Sequence, residues 1–170
     1  MTFHELKAIV DEMQKSHAWL FEKKRDAPMT ADRIREIEDA KGITLDTDYR
    51  CFLMEYGAGE FAYADIYSPD PLSPWSSWNV LETCHVKPDQ FMPLTDNGGG
   101  DYLGFLTFDG RTLRPLFWAD HEKDYSTSES EYGSFIEFIT KWALRIGKTE
   151  AEQGGSPYSS PAAGSDSGDL

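Results

Sequence analysis

QFMPLTDNGGGDYLGFLTFDGRTLRPLFW, residues 90–118, decides the fold of this chain. Apolar runs at 91–94, 102–108 and 113–118 are parted first by Thr95, Asp96, Asn97 and a triple glycine, then by Asp109-Gly110. Asp-Gly between two such runs signals a hairpin, because both central residues of a type I′ turn need positive φ. Antiparallel strands are therefore expected here, with one face in need of cover. Amphipathic helices on either side are the available cover.

Residues 2–21 carry Phe3, Leu6, Ile9, Val10, Met13, Trp19 and Leu20 at near-helical spacing. Thr2 and Glu5 stand at capping-box positions. His17 reads as a boundary histidine, and Lys23, Lys24 and Arg25 suit the end of a helical segment. After a linker with Pro28, Thr30 caps a second helix over 31–41, with Asp32 in its first turn, Ile34 and Ile37 inward and Gly42 as the stop. Asp46 or Thr47 then caps a third helix to Tyr56, burying Tyr49, Phe52, Leu53 and Tyr56. Gly57 ends it.

Residues 60–67, EFAYADIY, alternate with period two, so a single strand is expected. SPDPLSP, residues 68–74, is a proline-rich rigid loop. Trp75 and Trp78 follow, and 78–83 fits a short helix or an edge strand. Residues 119–133 are polar without period and read as a surface loop. Ser134 opens the last helix, with Glu137 completing a capping box and Phe135, Phe138, Ile139, Trp142 and Ile146 on one face. Residues 149–170 are rich in Gly, Ser and Pro and cannot bury enough apolar surface to offset ordering. The expected organisation is one domain over 1–148 and a disordered tail over 149–170.

Sixteen basic residues face 30 acidic ones among 170, a formal net charge of −14. That balance argues against a phosphate-neutralising surface for nucleic acid and permits steered association with a basic partner. Cys51 and Cys84 are too few for a disulfide scaffold and read as small buried hydrophobes in a reducing compartment. The N-terminus shows no signal-peptide pattern and no run approaches a membrane span, so a cytoplasmic location is expected.

No catalytic, cofactor or metal site emerges. Cys84 and His85 are adjacent, so on a strand they would point to opposite faces; His121 lies far along the chain. Asp96, Asp101 and Asp109 bracket the glycine turn without calcium-loop spacing. NGGG lacks the lysine and hydroxyl of a phosphate loop. Asp120, His121 and Glu122 could form an acid–base set, but no nucleophile is placed beside them.

IREIEDAKGITLDTDYRCFLMEYGAGEF (34–61), FMPLTDNGGGDYLGFLTFDG (91–110) and SFIEFITKWAL (134–144) together resemble the SUKH superfamily, named in part for a yeast cell-wall-synthesis regulator. The first segment is similar to the family's Ile/Leu–Glu helix, glycine, helix start and glycine-rich turn into a strand. The others are similar to its strand–turn–strand unit and its last helix. Asp46-Thr47 stands where the family usually has proline before a helix; a side-chain cap replaces a residue without an N–H. The resemblance implies an α+β fold with N-terminal helices, an antiparallel sheet of about four to six strands and a C-terminal covering helix. It implies a binding role: bacterial relatives include immunity proteins that block a toxin, often a nuclease, and eukaryotic relatives are regulators.

Charge is uneven along the chain. Residues 60–137 hold fourteen acids against Lys87, Arg111, Arg114 and Lys123. Asp65, Asp70, Asp96, Asp101, Asp120, Glu122, Asp124 and Glu129, with Trp75, Trp78 and Tyr125 as aromatic anchors, are the expected partner-binding residues for a basic protein. A cognate toxin is the first reading of that partner. A regulatory adaptor without a toxin is the second, and a small hydrolase using Asp120, His121 or Glu122 the third.

Overall fold

The computed structural model describes residues 1–84 and 90–147. The tail expected over 149–170 and His85 lie outside the described residues.

Helix α1 spans Phe3–Ser16, and Thr2 and Glu5 form the expected reciprocal capping box. It ends earlier than its apolar pattern implied. His17 breaks the helical geometry, a 3-10 turn Ala18–Leu20 follows, and Trp19 is 58% exposed instead of buried. Helix α2, Ala31–Lys41, is capped by Thr30 and stopped by Gly42 in the left-handed region. Helix α3, Thr47–Tyr56, is capped by Asp46, whose carboxylate accepts from the Asp48 and Tyr49 amides at 3.0 and 3.2 Å. Arg114 braces that cap from the sheet, its Nε 2.6 Å from Asp46 and its Nη2 2.7 Å from Asp48.

The single strand expected over 60–67 is instead a hairpin of β1, Gly59–Phe61, and β2, Ala64–Ile66. Ala62 turns it with φ of 51°, held because Lys23 Nζ donates to the Ala62 carbonyl and Tyr63 N to that of Ala143. Helix α4, Ser77–Cys84, resolves the helix-or-strand alternative near Trp78.

Strands β3 (Phe91–Asp96), β4 (Tyr102–Phe108), β5 (Arg111–Asp120) and β6 (Ser126–Glu129) form an antiparallel sheet in that order. Asp109 and Gly110 have φ of 49° and 68°, as the hairpin signal requires. β5 runs on to Asp120, and β6 lies where a loop was expected. β6 escapes a periodic reading because all four of its residues are exposed. A bulge between Pro93 and Thr95 turns the Leu94 carbonyl outward to accept from Tyr67 N at 2.7 Å, which joins the small hairpin to the sheet.

The sheet is covered unequally. Met92, Leu94, Leu103, Phe105 and Leu116 face the main core, with Leu6, Val10, Ile34, Tyr49, Phe52, Phe135 and Phe138. Phe91 and Ala119 face a smaller cluster with Trp78 and Leu81 of α4. The last helix begins as α5, Phe135–Phe138, and widens into a π turn over Ile139–Ala143; Ile146, expected on its apolar face, is 38% exposed. Cys51 is half-buried rather than buried, and burial lifts its thiol pKa. Among the described residues no helix is long and apolar enough to cross a membrane.

Candidate functional site

The residues that sequence singled out separate into two places. Asp70, Trp75 and Trp78 belong to the loop after β2 and to α4. Asp70 is held by Arg33, with Nε–Oδ2 at 2.9 Å and Nη2–Oδ1 at 2.8 Å, and that guanidinium keeps the carboxyl below its ordinary pKa. Trp75 is half-buried. Trp78, expected as an exposed anchor, is 8% exposed; its Nε1 donates to the Pro69 carbonyl at 2.7 Å and Lys41 Nζ sits 4.6 Å above its ring. A cavity of about 400 Å³ lies beside the Arg33–Asp70 pair and shares no residue with the second group.

The second group gathers where β4 begins and β5 ends. Asp101 Oδ1 accepts from the His121 amide at 3.0 Å and lies 2.7 Å from His121 Nδ1, while Asn97 Nδ2 donates to Oδ2 at 2.9 Å. Burial works against the charge on Asp101, but these donors outweigh it and hold the carboxyl below its usual range. The same hydrogen bond raises the pKa of His121. Asp120 closes the turn: Oδ1 accepts from the Glu122 amide at 3.0 Å and Oδ2 lies 2.7 Å from Lys123 Nζ, which lowers its pKa.

Asp96, at the end of β3, accepts from the Tyr67 hydroxyl and from Gly98 N, and stands opposite Tyr102 in the ladder. Asp65 faces Glu60 across the small hairpin; partial burial first, then Glu60 and Asp96, raise its pKa. The rings of Tyr67, Tyr102 and Tyr125 follow one another at 6.4 and 6.0 Å between centroids. Glu122, Asp124 and Glu129 are exposed and pair with no lysine or arginine among the described residues.

Two features here escape a sequence reading. Trp118 and Trp142 lie 5.8 Å apart, half-buried on the sheet's other face, and Trp118 Nε1 donates to Glu131 at 3.1 Å. Trp142 on the last helix's apolar face was the available signal. The second feature is that Asp101, Asp120 and His121 each bring a ligand atom within 4.8 Å of the others. Each of those carboxylate oxygens already accepts from a protein donor. The ring of His121, expected beside Asp120 and Glu122, has Asp101 as its side-chain partner among the other carboxylates described.

The arrangement therefore offers an acidic edge beside tyrosine rings, with Asp101 and Asp120 paired internally and Glu122, Asp124 and Glu129 exposed. Compared with known families, residues 31–139, from the start of α2 into the π turn, match the family model SUKH_6, described as SMI1-KNR4 cell-wall. No curated protein matches the chain.

Proposed function

The chain belongs to the SMI1-KNR4 cell-wall family of the SUKH superfamily, and from that membership we propose that it is an immunity-type protein that binds a cognate toxin and neutralises it. The toxin's contacting surface is basic, as in a nuclease, and carboxylates of this chain occupy the places of substrate phosphates. One observation carries the reading: Glu122, Asp124 and Glu129 stand exposed along the β5–β6 edge without a described cationic partner, beside the Tyr102–Tyr125 pair. Exposed charges of one sign accelerate encounter with an oppositely charged protein, and neighbouring aromatics supply a desolvated centre.

The test is pull-down of a toxin encoded beside this gene, followed by titration of its activity. Stoichiometric inhibition is expected, and the combined Glu122→Lys, Asp124→Lys and Glu129→Lys variant should bind markedly more weakly. Failure of the parent chain to bind or inhibit overturns the immunity reading; undiminished binding by the variant overturns the role of this edge.

A further inference from the structure

β6 ends the four-stranded sheet, and among the described residues no strand pairs with its outer side. The opposite border is closed where Tyr67 N donates to Leu94 O at 2.7 Å. The half of β5 beyond β6 is closed as well, since Thr44 N donates to Gly110 O at 2.6 Å and Thr112 N to Thr44 O at 3.1 Å. Along β6, Ser130 N donates to Leu116 O at 2.9 Å just past the strand's end. Hydrogen-bonded and non-hydrogen-bonded pairs alternate in an antiparallel ladder. With Phe117 opposite Glu129 and Ala119 opposite Thr127, Ser126 and Ser128 turn their backbone groups to β5, and Thr127 and Glu129 turn theirs outward. Among the described residues no backbone hydrogen bond reaches those outward groups.

An open edge is ordinarily blunted by proline, lysine or a covering element. Ser126–Glu129, STSE, has neither residue, and all four positions are exposed. The surrounding charge decides what can pair there. Asp120, Glu122, Asp124, Glu129 and Glu131 flank or form the edge, and the neighbouring Lys123 is already paired with Asp120 at 2.7 Å. A second copy laid against β6 would set these carboxylates against their own kind.

We infer that β6 is a template for strand addition, and that its occupant is an extended, lysine- or arginine-rich segment of a partner protein. This rests on the acidic-edge reading above and adds its geometry: main-chain hydrogen bonds to Thr127 and Glu129 supply register, and alternate basic side chains meet Glu129 beside Phe117.

The probe is a short peptide alternating lysine with valine, compared with a twin of identical charge N-methylated through its central residues. The parent peptide should bind and protect the Thr127 and Glu129 amides from exchange. The methylated twin should bind at least about tenfold more weakly, the scale of one or two lost hydrogen bonds. Thr127→Pro, which removes an outward N–H on an edge strand where proline is tolerated, should lower parent-peptide affinity by a similar factor. The methylated twin tests the same point on the unaltered protein should that variant fail to fold. Equal affinity of the two peptides within about twofold overturns strand addition, as does absence of binding by the parent peptide. If the peptides bind equally and the triple charge reversal weakens both, the acidic edge stands and only its geometry fails. If charge reversal changes neither, the edge itself is not the binding surface.

Discussion

The phenol of Tyr49 donates to the backbone carbonyl of Tyr67 at 2.6 Å inside the core. Tyr67 in turn gives its amide to Leu94 and its hydroxyl to Asp96. One residue thus joins α3, the small hairpin and β3. Burial raises the Tyr49 pKa well above the ordinary phenol value, so it remains a donor. Tyr49→Phe leaves a buried carbonyl without that donor and should cost about 1–3 kcal/mol. A urea titration should show a lower midpoint with an unchanged slope; an unchanged midpoint would contradict the assignment.

At Gly104 β4 leaves no room toward β3 for a side chain. A Cβ there would lie 2.1 Å from the Met92 carbonyl oxygen and 2.8 Å from the Phe91 ring. Neither the ladder backbone nor a core ring can yield cheaply, so Gly104→Ala should destabilise by about 3 kcal/mol or more. Thermal unfolding followed by circular dichroism checks this, and a loss under about 1 kcal/mol would mean that the strands separate more easily than this packing implies.

His121 and Asp101 make stability depend on pH. The raised pKa of His121 contributes fully below its unfolded value, and the contribution is lost as pH rises through the folded one. The lowered pKa of Asp101 contributes above its unfolded value and is lost as pH falls through the folded one. Both contributions are present together between about pH 4 and 6.5. The stability gap between the parent and Asp101→Asn should therefore be wider near about pH 5.5 than near about pH 8.5. By NMR, the His121 midpoint should fall in that variant. Asp120 and Glu122 also favour the imidazolium, so part of the elevation should survive. An unmoved midpoint would show that Asp101 is not its main cause.

Association with a basic partner should slow steeply as salt rises, because exposed charges are screened beyond roughly 8–10 Å at physiological ionic strength. Glu122→Lys with Asp124→Lys should lower the association rate and flatten that dependence, with a smaller effect on dissociation. Stopped-flow fluorescence at several salt concentrations reads both. A flat response in the parent protein would remove electrostatic steering from the mechanism.

What sequence revealed, and what it withheld, follows physical locality. Thr2, Thr30, Asp46 and Ser134 cap helices through neighbours two or three residues away. Asp109-Gly110 sets its own turn, so β4 and β5 were readable. The turn at Ala62 was not, because contacts from Lys23 and Ala143 enforce it where no turn residue stands. β6 was missed because a strand exposed on both faces has no apolar alternation. The site divides in the same way. The acid-rich stretch was visible as composition, but the pairing of Asp70 with Arg33, 37 residues away, and of Asp101 with His121, 20 residues away, required the fold.

One face of the main sheet rests on a thick helical layer, and the other on the eight residues of α4. Detaching α4 would uncover Phe91 and Ala119 while leaving Met92, Leu103 and Phe105 enclosed. Opening at α4 would therefore expose less apolar surface than opening at the helical layer, which is where local stability differs across the sheet.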